Sequence, residues 1–316
     1  MAPYSSIIDL IGNTPVIEVS ELSPNPDVKI YAKLEGQNPA GSVKDRIAKS
    51  MILDAERDGR LVPGGTILEP SSGNTGIALA MICSVKGYNL KIVLPDNVSI
   101  ERRQLLEVWG AEIIPSPGNE GSNGAVHRAL KIAEDNPEWV FLYQYGNEAN
   151  PEMHYRTTGP EILEDVPAVS HFVAGLGTSG TLMGVGRFLK EKNPEIQILA
   201  VEPPAGESVE GLRSLEDGFI PPVFEKWDGW DLLDGKRIIR PIESIECARK
   251  LAQTCGIFAG ISSGAALAGA LRVAEQIERG SIVFIVCDGG WKYLSTEAWT
   301  KPLDEVAETI DRIIYF

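Results

Sequence analysis

Apolar runs of strand length alternate with helical patterns along almost the whole chain, and this alternation narrows the possible folds more than any other feature. The runs KIYAKLE (29–35), TILEP (66–70), LKIVLP (90–95), AEIIP (111–115), WVFLYQ (139–144), HFVAG (171–175), QILAVEP (197–203) and SIVFIVCD (281–288) read as strands of parallel sheets covered on both faces. Helical patterns at 75–87, 99–109, 181–192 and 262–279 have the length that parallel crossovers require. The fold class is therefore α/β. At 316 residues the chain is long enough for two domains of ordinary size, yet no Gly/Ser-rich linker or charge block divides it. YGNEANPE, at 145–152, is the best boundary candidate. The stretch at 202–231 breaks the rhythm with Pro, Gly and acidic residues, and it reads as a substrate loop or lid, or equally as a surface excursion.

A formal net charge of −15 argues against nucleic acid or an anionic membrane as partner, because both call for clustered Lys and Arg. An anionic substrate then needs local positive charge or oriented amides. No apolar run is long enough to cross a bilayer, and MAPYSSIIDLIGNTP lacks the basic segment and apolar core of a secretory signal, so a cytoplasmic location is expected. The four cysteines (Cys83, Cys247, Cys255, Cys287) form no CxxC pair and only three histidines accompany them, so reduced thiols and no metal site are expected.

Four turns carry candidate chemistry. In NPAGSVKDR, Ser42 is placed as a helix N-cap with Asp45 three residues on, which puts Lys44 in the first helical turn. The helix dipole disfavours a cation there, and Schiff-base formation needs the neutral amine, although a solvated lysine beside Asp45 and Arg46 is the simpler reading of that segment alone. EPSSGNTG places Ser71, Ser72, Gly73 and Thr75 at a helix start, an anion cradle for a carboxylate or phosphate, with Asn74 free to address a ligand oxygen. A well-capped βα turn accounts for it as readily. HFVAGLGTSGT satisfies GxGxxG through Gly175, Gly177 and Gly180, and Glu202 stands about where a ribose-binding acid belongs, which together would predict an NAD-dependent oxidoreductase. The hydroxyls of Thr178, Ser179 and Thr181 suit one terminal phosphate better, and no P-loop lysine is present. In GISSGA, Ser262 and Ser263 open a small-residue helix, where capping is the obvious role.

In this order, IGNTP, NPAGSVKDR, EPSSGNTG, GTSGT and GISSGA resemble the cysteine synthase family, the β-replacing branch of fold-type II pyridoxal-phosphate enzymes, over essentially the whole chain. The resemblance implies two open, twisted, mostly parallel-sheet α/β domains with the cofactor between them, a smaller one at 39–150 and a larger one formed by 1–38 and 151–316. It implies that Lys44 forms the Schiff base with pyridoxal 5'-phosphate, that Gly177, Thr178, Ser179, Gly180 and Thr181 bind its phosphate, that Asn74 meets the ring hydroxyl and that Ser262 meets the pyridine nitrogen. Ser71, Ser72, Gly73 and Thr75, assisted by Gln144, would take the substrate carboxylate. Ser71 departs from the threonine usual in the family but keeps the hydroxyl. Lys44, once displaced by substrate, would act as general base, and sulfur would add to an aminoacrylate intermediate.

The segment VEGLRSLEDGFIPP, together with GSNGA (121–125) and GWKYLST (290–296), resembles the branch that uses O-phosphoserine and a thiocarboxylated sulfur-carrier protein. Arg213 then maps to the arginine that pairs with substrate phosphate. Without the family, Arg213 would be expected to pair with Glu210, Glu216 or Asp217 on a solvated helix. An O-acetylserine sulfhydrylase using sulfide and a cystathionine β-synthase-like enzyme are the alternatives within the family. The family also implies a homodimer. The C-terminal IDRIIYF would either gate the cleft or dock on its own domain or a partner subunit.

Overall fold

The computed structural model describes residues 3–307, so IDRIIYF lies outside the described residues. The described residues form ten strands: β1 (Val16–Glu18), β2 (Val28–Leu34), β3 (Thr66–Pro70), β4 (Asn89–Pro95), β5 (Glu112–Ser116), β6 (Val140–Phe141), β7 (His171–Gly175), β8 (Gln197–Glu202), β9 (Gly235–Ile238) and β10 (Gly280–Val286). They make a four-stranded sheet in the order β5-β4-β3-β6 and a six-stranded sheet in the order β1-β2-β10-β7-β8-β9. Every pairing is parallel except that of β1 with β2.

The smaller sheet carries α1 (Lys44–Arg57), α2 (Asn74–Lys86), α3 (Ile100–Val108) and α4 (Gly121–Asp135). Ile67 and Ile92 pack with Ile47, Ile77 and Leu106 from the first three, while the alternate residues Leu68 and Val93 pack on Ala125 and Ala129 of α4. That strict alternation buries both faces, as an all-parallel sheet demands. The larger sheet follows the same rule. After α5 (Ala149–Met153) and α6 (Gly159–Asp165), α7 (Gly180–Lys192) covers one face. Beyond the short α8 (Pro222–Lys226) and α9 (Gly229–Leu232), α10 (Pro241–Cys255) and α11 (Ile261–Ala274) cover the other. The small residues of α11 let it lie close to its neighbours: a Cβ on Gly264 would stand 1.9 Å from the Ser244 carbonyl of α10, and one on Gly269 would stand 2.6 Å from Val201 on β8.

The expected strand 139–144 shrinks to Val140–Phe141 for a visible reason. Glu69, buried on β3, accepts the backbone N–H of Tyr143 at 2.7 Å and of Gln144 at 3.0 Å, which removes both amides from the sheet. Tyr143 takes a φ of 54° as the chain turns there. The expected helix 262–279 ends at Ala274, and the lid-like stretch after β8 is partly helical through α8 and α9.

A buried ion network sets the start of α1. The Arg46 guanidinium binds Glu35 through Nε and Nη2 at 2.7 and 2.8 Å and Glu161 through Nη1 and Nη2 at 2.7 and 2.6 Å. Thr14 of IGNTP donates to Glu35 at 2.7 Å, and Asn38 both donates to Glu35 and accepts the Gly12 N–H. Burial alone would raise the Glu35 carboxyl, but Arg46 and Thr14 hold it below the usual range. The first two sequence motifs thus meet in one structural cluster beside Lys44.

Candidate active site

The loops after β3, β7, β8 and β10 open into one cleft, at the carboxyl ends of parallel strands where α/β sheets place their ligands. All fourteen sequence-predicted site positions line it: Lys44, Ser71, Ser72, Gly73, Asn74, Thr75, Gln144, Gly177, Thr178, Ser179, Gly180, Thr181, Arg213 and Ser262. Its empty space, mouth included, is about 1020 Å³, the scale of a pocket for a cofactor and a small substrate together.

Lys44 opens α1. Val43, not the expected Ser42, is the N-cap of α1 and makes no side-chain cap bond; Ser42 Oγ accepts the Lys44 N–H at 3.2 Å from one residue further out, and the Asp45 carboxylate takes the Ala40 N–H at 2.6 Å and the Ser42 hydroxyl at 3.3 Å, so no capping box forms. Burial raises the Asp45 carboxyl to about 6. On the facing loop, Ser71 Oγ accepts the N–H groups of Gly73 and Gly76 at 3.1 and 3.0 Å, so its lone pairs serve the turn and its proton is what a ligand can use. Thr75 donates to Gln144 Oε1 at 2.7 Å, and Gln144 donates to the Pro70 carbonyl at 3.2 Å. Arg102 of α3 spans this loop, donating to the Ser72 carbonyl at 3.0 Å and pairing with buried Glu210.

The loop after β7 makes the second wall. Ser179 sits in the left-handed region at φ 67° immediately before α7, so consecutive amides turn inward at the head of a thirteen-residue helix whose first N–H groups have no intrahelical acceptor. A Cβ on Gly177 would come within 2.5 Å of the Gly211 carbonyl, and the Arg213 N–H binds the Leu176 carbonyl at 2.7 Å. The loop bearing Arg213 is therefore laid directly over the cradle. Thr178 Oγ1 accepts from Asn150 at 2.9 Å, and Asn150 also donates to the Gln144 carbonyl at 2.9 Å. Thr181 contacts the buried His154 ring at 3.2 Å, where burial holds the imidazole well below its usual pKa and hence neutral.

Two sequence readings are overturned. Glu202 is wholly buried, accepts the Leu215 N–H at 3.0 Å and pairs with Lys236 at 2.5 Å, which leaves it no ribose to bind. Gly260, not Ser262 or Ser263, caps α11; Ser263 Oγ accepts the Cys287 N–H at 2.9 Å, and Ser262 lines the cleft.

A family described as pyridoxal-phosphate dependent enzyme matches residues 7–288. The chain is 43% identical to cysteine synthase B of Escherichia coli (strain K12) over 293 residues, 92% of this chain and 95% of that one. It is 41% identical to cysteine synthase of Staphylococcus aureus (strain N315) over 308 residues, 94% of this chain and 98% of that one. The chain belongs to the cysteine synthase family of pyridoxal-phosphate-dependent enzymes. Solved members of similar form include O-ureido-L-serine synthase, with a TM-score of 0.88 and 37% identity over 97% of this chain and 100% of that one. The O-acetylserine dependent cystathionine beta-synthase from Helicobacter pylori gives 0.86 and 37% over 93% of this chain and 98% of that one.

Pyridoxal phosphate fits the residues present. The glycine-closed cradle before α7 suits one phosphate monoester, and Lys44, Asn74 and Ser262 bring an amine and two polar side chains to the same cleft. Several residues that line the cleft or support its lining carry no local signature in the sequence. Asn150, Arg102, Glu210 and His154 are joined to the site by contacts 27 to 108 residues away along the chain. Asn150 falls in YGNEANPE, which the sequence offers only as a domain-boundary candidate.

Proposed function

We propose that this cysteine synthase family member makes cysteine from O-phospho-L-serine by replacing phosphate with sulfur. The observation that carries this reading is the state of Arg213. Its guanidinium lines the cleft, and its contacts are neutral: Asn123 Oδ1 at 2.7 Å, the Tyr145 hydroxyl at 3.1 Å, and the faces of Tyr145 and Phe219 at 4.8 Å each. Among the described residues it pairs with no carboxylate. The acids expected to neutralise it are engaged elsewhere, Glu210 with Arg102, Glu216 with Lys236 and Asp217 with the Gly206 N–H. Asn123 belongs to GSNGA, so two segments of the phosphoserine-like pattern meet at this side chain.

In this reading Gly177 to Thr181 hold the cofactor phosphate, Asn74 donates to the ring oxygen, and Ser262 meets the ring nitrogen as a neutral partner. Ser71, Ser72, Gly73 and Thr75, with Gln144 behind Thr75, bind the substrate carboxylate. Bound pyridoxal phosphate supplies an electron sink for charge developing at the substrate α-carbon. The Lys44 amine takes the α-proton and later returns it. Arg213 binds the β-phosphate through paired N–H groups and stabilises it as it leaves. The two sheets act as two bodies, residues 39–150 and residues 1–38 with 151–316. The sulfur donor is read as the thiocarboxylate of a small carrier protein, and the enzyme as a cytoplasmic homodimer, on the resemblance of the Arg213, GSNGA and GWKYLST segments.

Side-by-side spectral titration and steady-state turnover with O-phosphoserine and O-acetylserine test the substrate. Arg213→Ala should lower kcat/KM for O-phosphoserine about a hundredfold while changing that for O-acetylserine less than about threefold. An equal loss for both esters would refute the phosphate role. Thiocarboxylated carrier protein and free sulfide, compared at the same O-phosphoserine concentration, test the donor; faster turnover with sulfide would exclude the carrier.

A further inference from the structure

Lys292, the lysine of GWKYLST, does not line the cleft; it lies behind the wall and is fully buried. Its Nζ donates to Asn74 Oδ1 at 2.6 Å and to the Gly41 carbonyl at 3.1 Å, and the Trp291 ring lies 5.1 Å from the ammonium. Its own carbonyl accepts the Ser99 hydroxyl at 2.8 Å. On the other side of the amide, Asn74 Nδ2 donates to Asp288 Oδ2 at 2.8 Å, and the Tyr293 hydroxyl donates to the same oxygen. An ammonium can only donate and a carboxylate can only accept. The Asn74 oxygen must therefore face Lys292 and its nitrogen must face Asp288. The amide is thereby fixed with Nδ2 as its donor end.

Burying a lysine is expensive, and burial pushes this ammonium down from its usual range although the Asp288 and Asp45 carboxylates pull it up. The cation spans two segments that face the cleft. One is the turn three residues before Lys44, through Gly41; the other is the 71–75 loop, through Asn74.

We propose that Lys292 is a positioning residue for the cofactor, acting by holding Asn74 as an N–H donor. The proposal rests on the reading of Asn74 as the ring contact. It gives the buried cation a role that packing alone would not require.

The experiment measures the dissociation constant of pyridoxal phosphate, the absorption spectrum of the reconstituted protein, and the gain in melting temperature on reconstitution. The variants are Lys292→Met, Lys292→Arg, Asn74→Ala and the Lys292→Met/Asn74→Ala pair. Lys292→Met is expected to weaken cofactor binding about tenfold, to shift the absorption band and to shrink the gain in melting temperature. Lys292→Arg, which keeps a donor-only cation, should stay within about threefold, and Lys292→Met should add less than about twofold to Asn74→Ala. If Lys292→Met does not fold, Asp288→Asn tests the other end of the amide and should give the same loss. Unchanged affinity in Lys292→Met beside a weakened Asn74→Ala would overturn the inference and leave the Asn74 reading standing. Unchanged affinity in Asn74→Ala would overturn that reading instead. Equal lowering of both melting temperatures, with affinity intact, would make Lys292 a packing residue only.

Discussion

Glu69 has its carboxylate fully buried and bound by two backbone amides. Burial pushes its carboxyl up to about 8, against the pull of the Gln144 and Tyr143 N–H groups. The folded protein thus binds this proton more tightly than the unfolded chain, whose glutamates titrate near 4.5. The stability it contributes is full below that value and is lost as pH rises through about 8. Asp45 behaves likewise up to about 6, and burial lowers His154 and His171, whose stability gain with rising pH is complete above the ordinary histidine value of 6.5, so the window from about pH 6.5 to 8 belongs to Glu69. The melting temperature of the apo protein should fall across that window, and Glu69→Gln should reduce the fall by at least about 3 °C in thermal melts. An unchanged slope would mean that Glu69 is already ionised in the folded state. Glu69 also shows why such groups escape a sequence reading. Within TILEP it looks like an ordinary strand residue, and only the fold brings Tyr143, 74 positions on, to its carboxylate.

At the scale of elements, the fully buried parallel strands are the most legible. TILEP and HFVAG match β3 and β7 end to end, because a continuous apolar run ended by a turn signal has few other readings. β1 and β9 were not legible. Both are short edges of half-exposed residues, and a single neighbour makes each of them a strand. The glycine turn after β7 was legible as an anion cradle, yet it matched the dinucleotide fingerprint equally well. What separates the two readings is Gly177 against the Gly211 carbonyl, a contact from the loop after β8 that no local pattern contains. Gly177→Ala would drive a Cβ to 2.5 Å from that oxygen, and equilibrium dialysis should show pyridoxal phosphate affinity reduced about a hundredfold. Retained affinity would place the phosphate elsewhere.

Across the whole molecule, the cleft is joined by bridges between segments that belong to different sheets. Arg102, on α3 beside the smaller sheet, pairs with Glu210 from the loop that follows β8 of the larger one. Both side chains are buried, so the pair ties the Glu210 loop to α3. Glu210→Gln should therefore loosen the loop at 203–220. Limited proteolysis of the unliganded protein is expected to cut there about tenfold faster, and KM for the amino-acid substrate should rise more than kcat falls. Cleavage at the native rate would show that the pair does not hold the loop. This bridge was illegible for the reason that applies to Lys292: Asn74 and its cation are separated by 218 residues.

The larger sheet also has a consequence for how the chain is made. β10 lies between β2 and β7, pairing Val28 with Gly280 and continuing to Leu34 with Val286. The smaller sheet is complete once Phe141 has left the ribosome, while β2 must wait for roughly 250 further residues. Throughout that interval the apolar strand VKIYAKL presents an unpaired edge, the kind of surface on which nascent chains aggregate or recruit chaperones. A premature stop between Phe141 and Gly280 would release chains with a finished small sheet and an open large one.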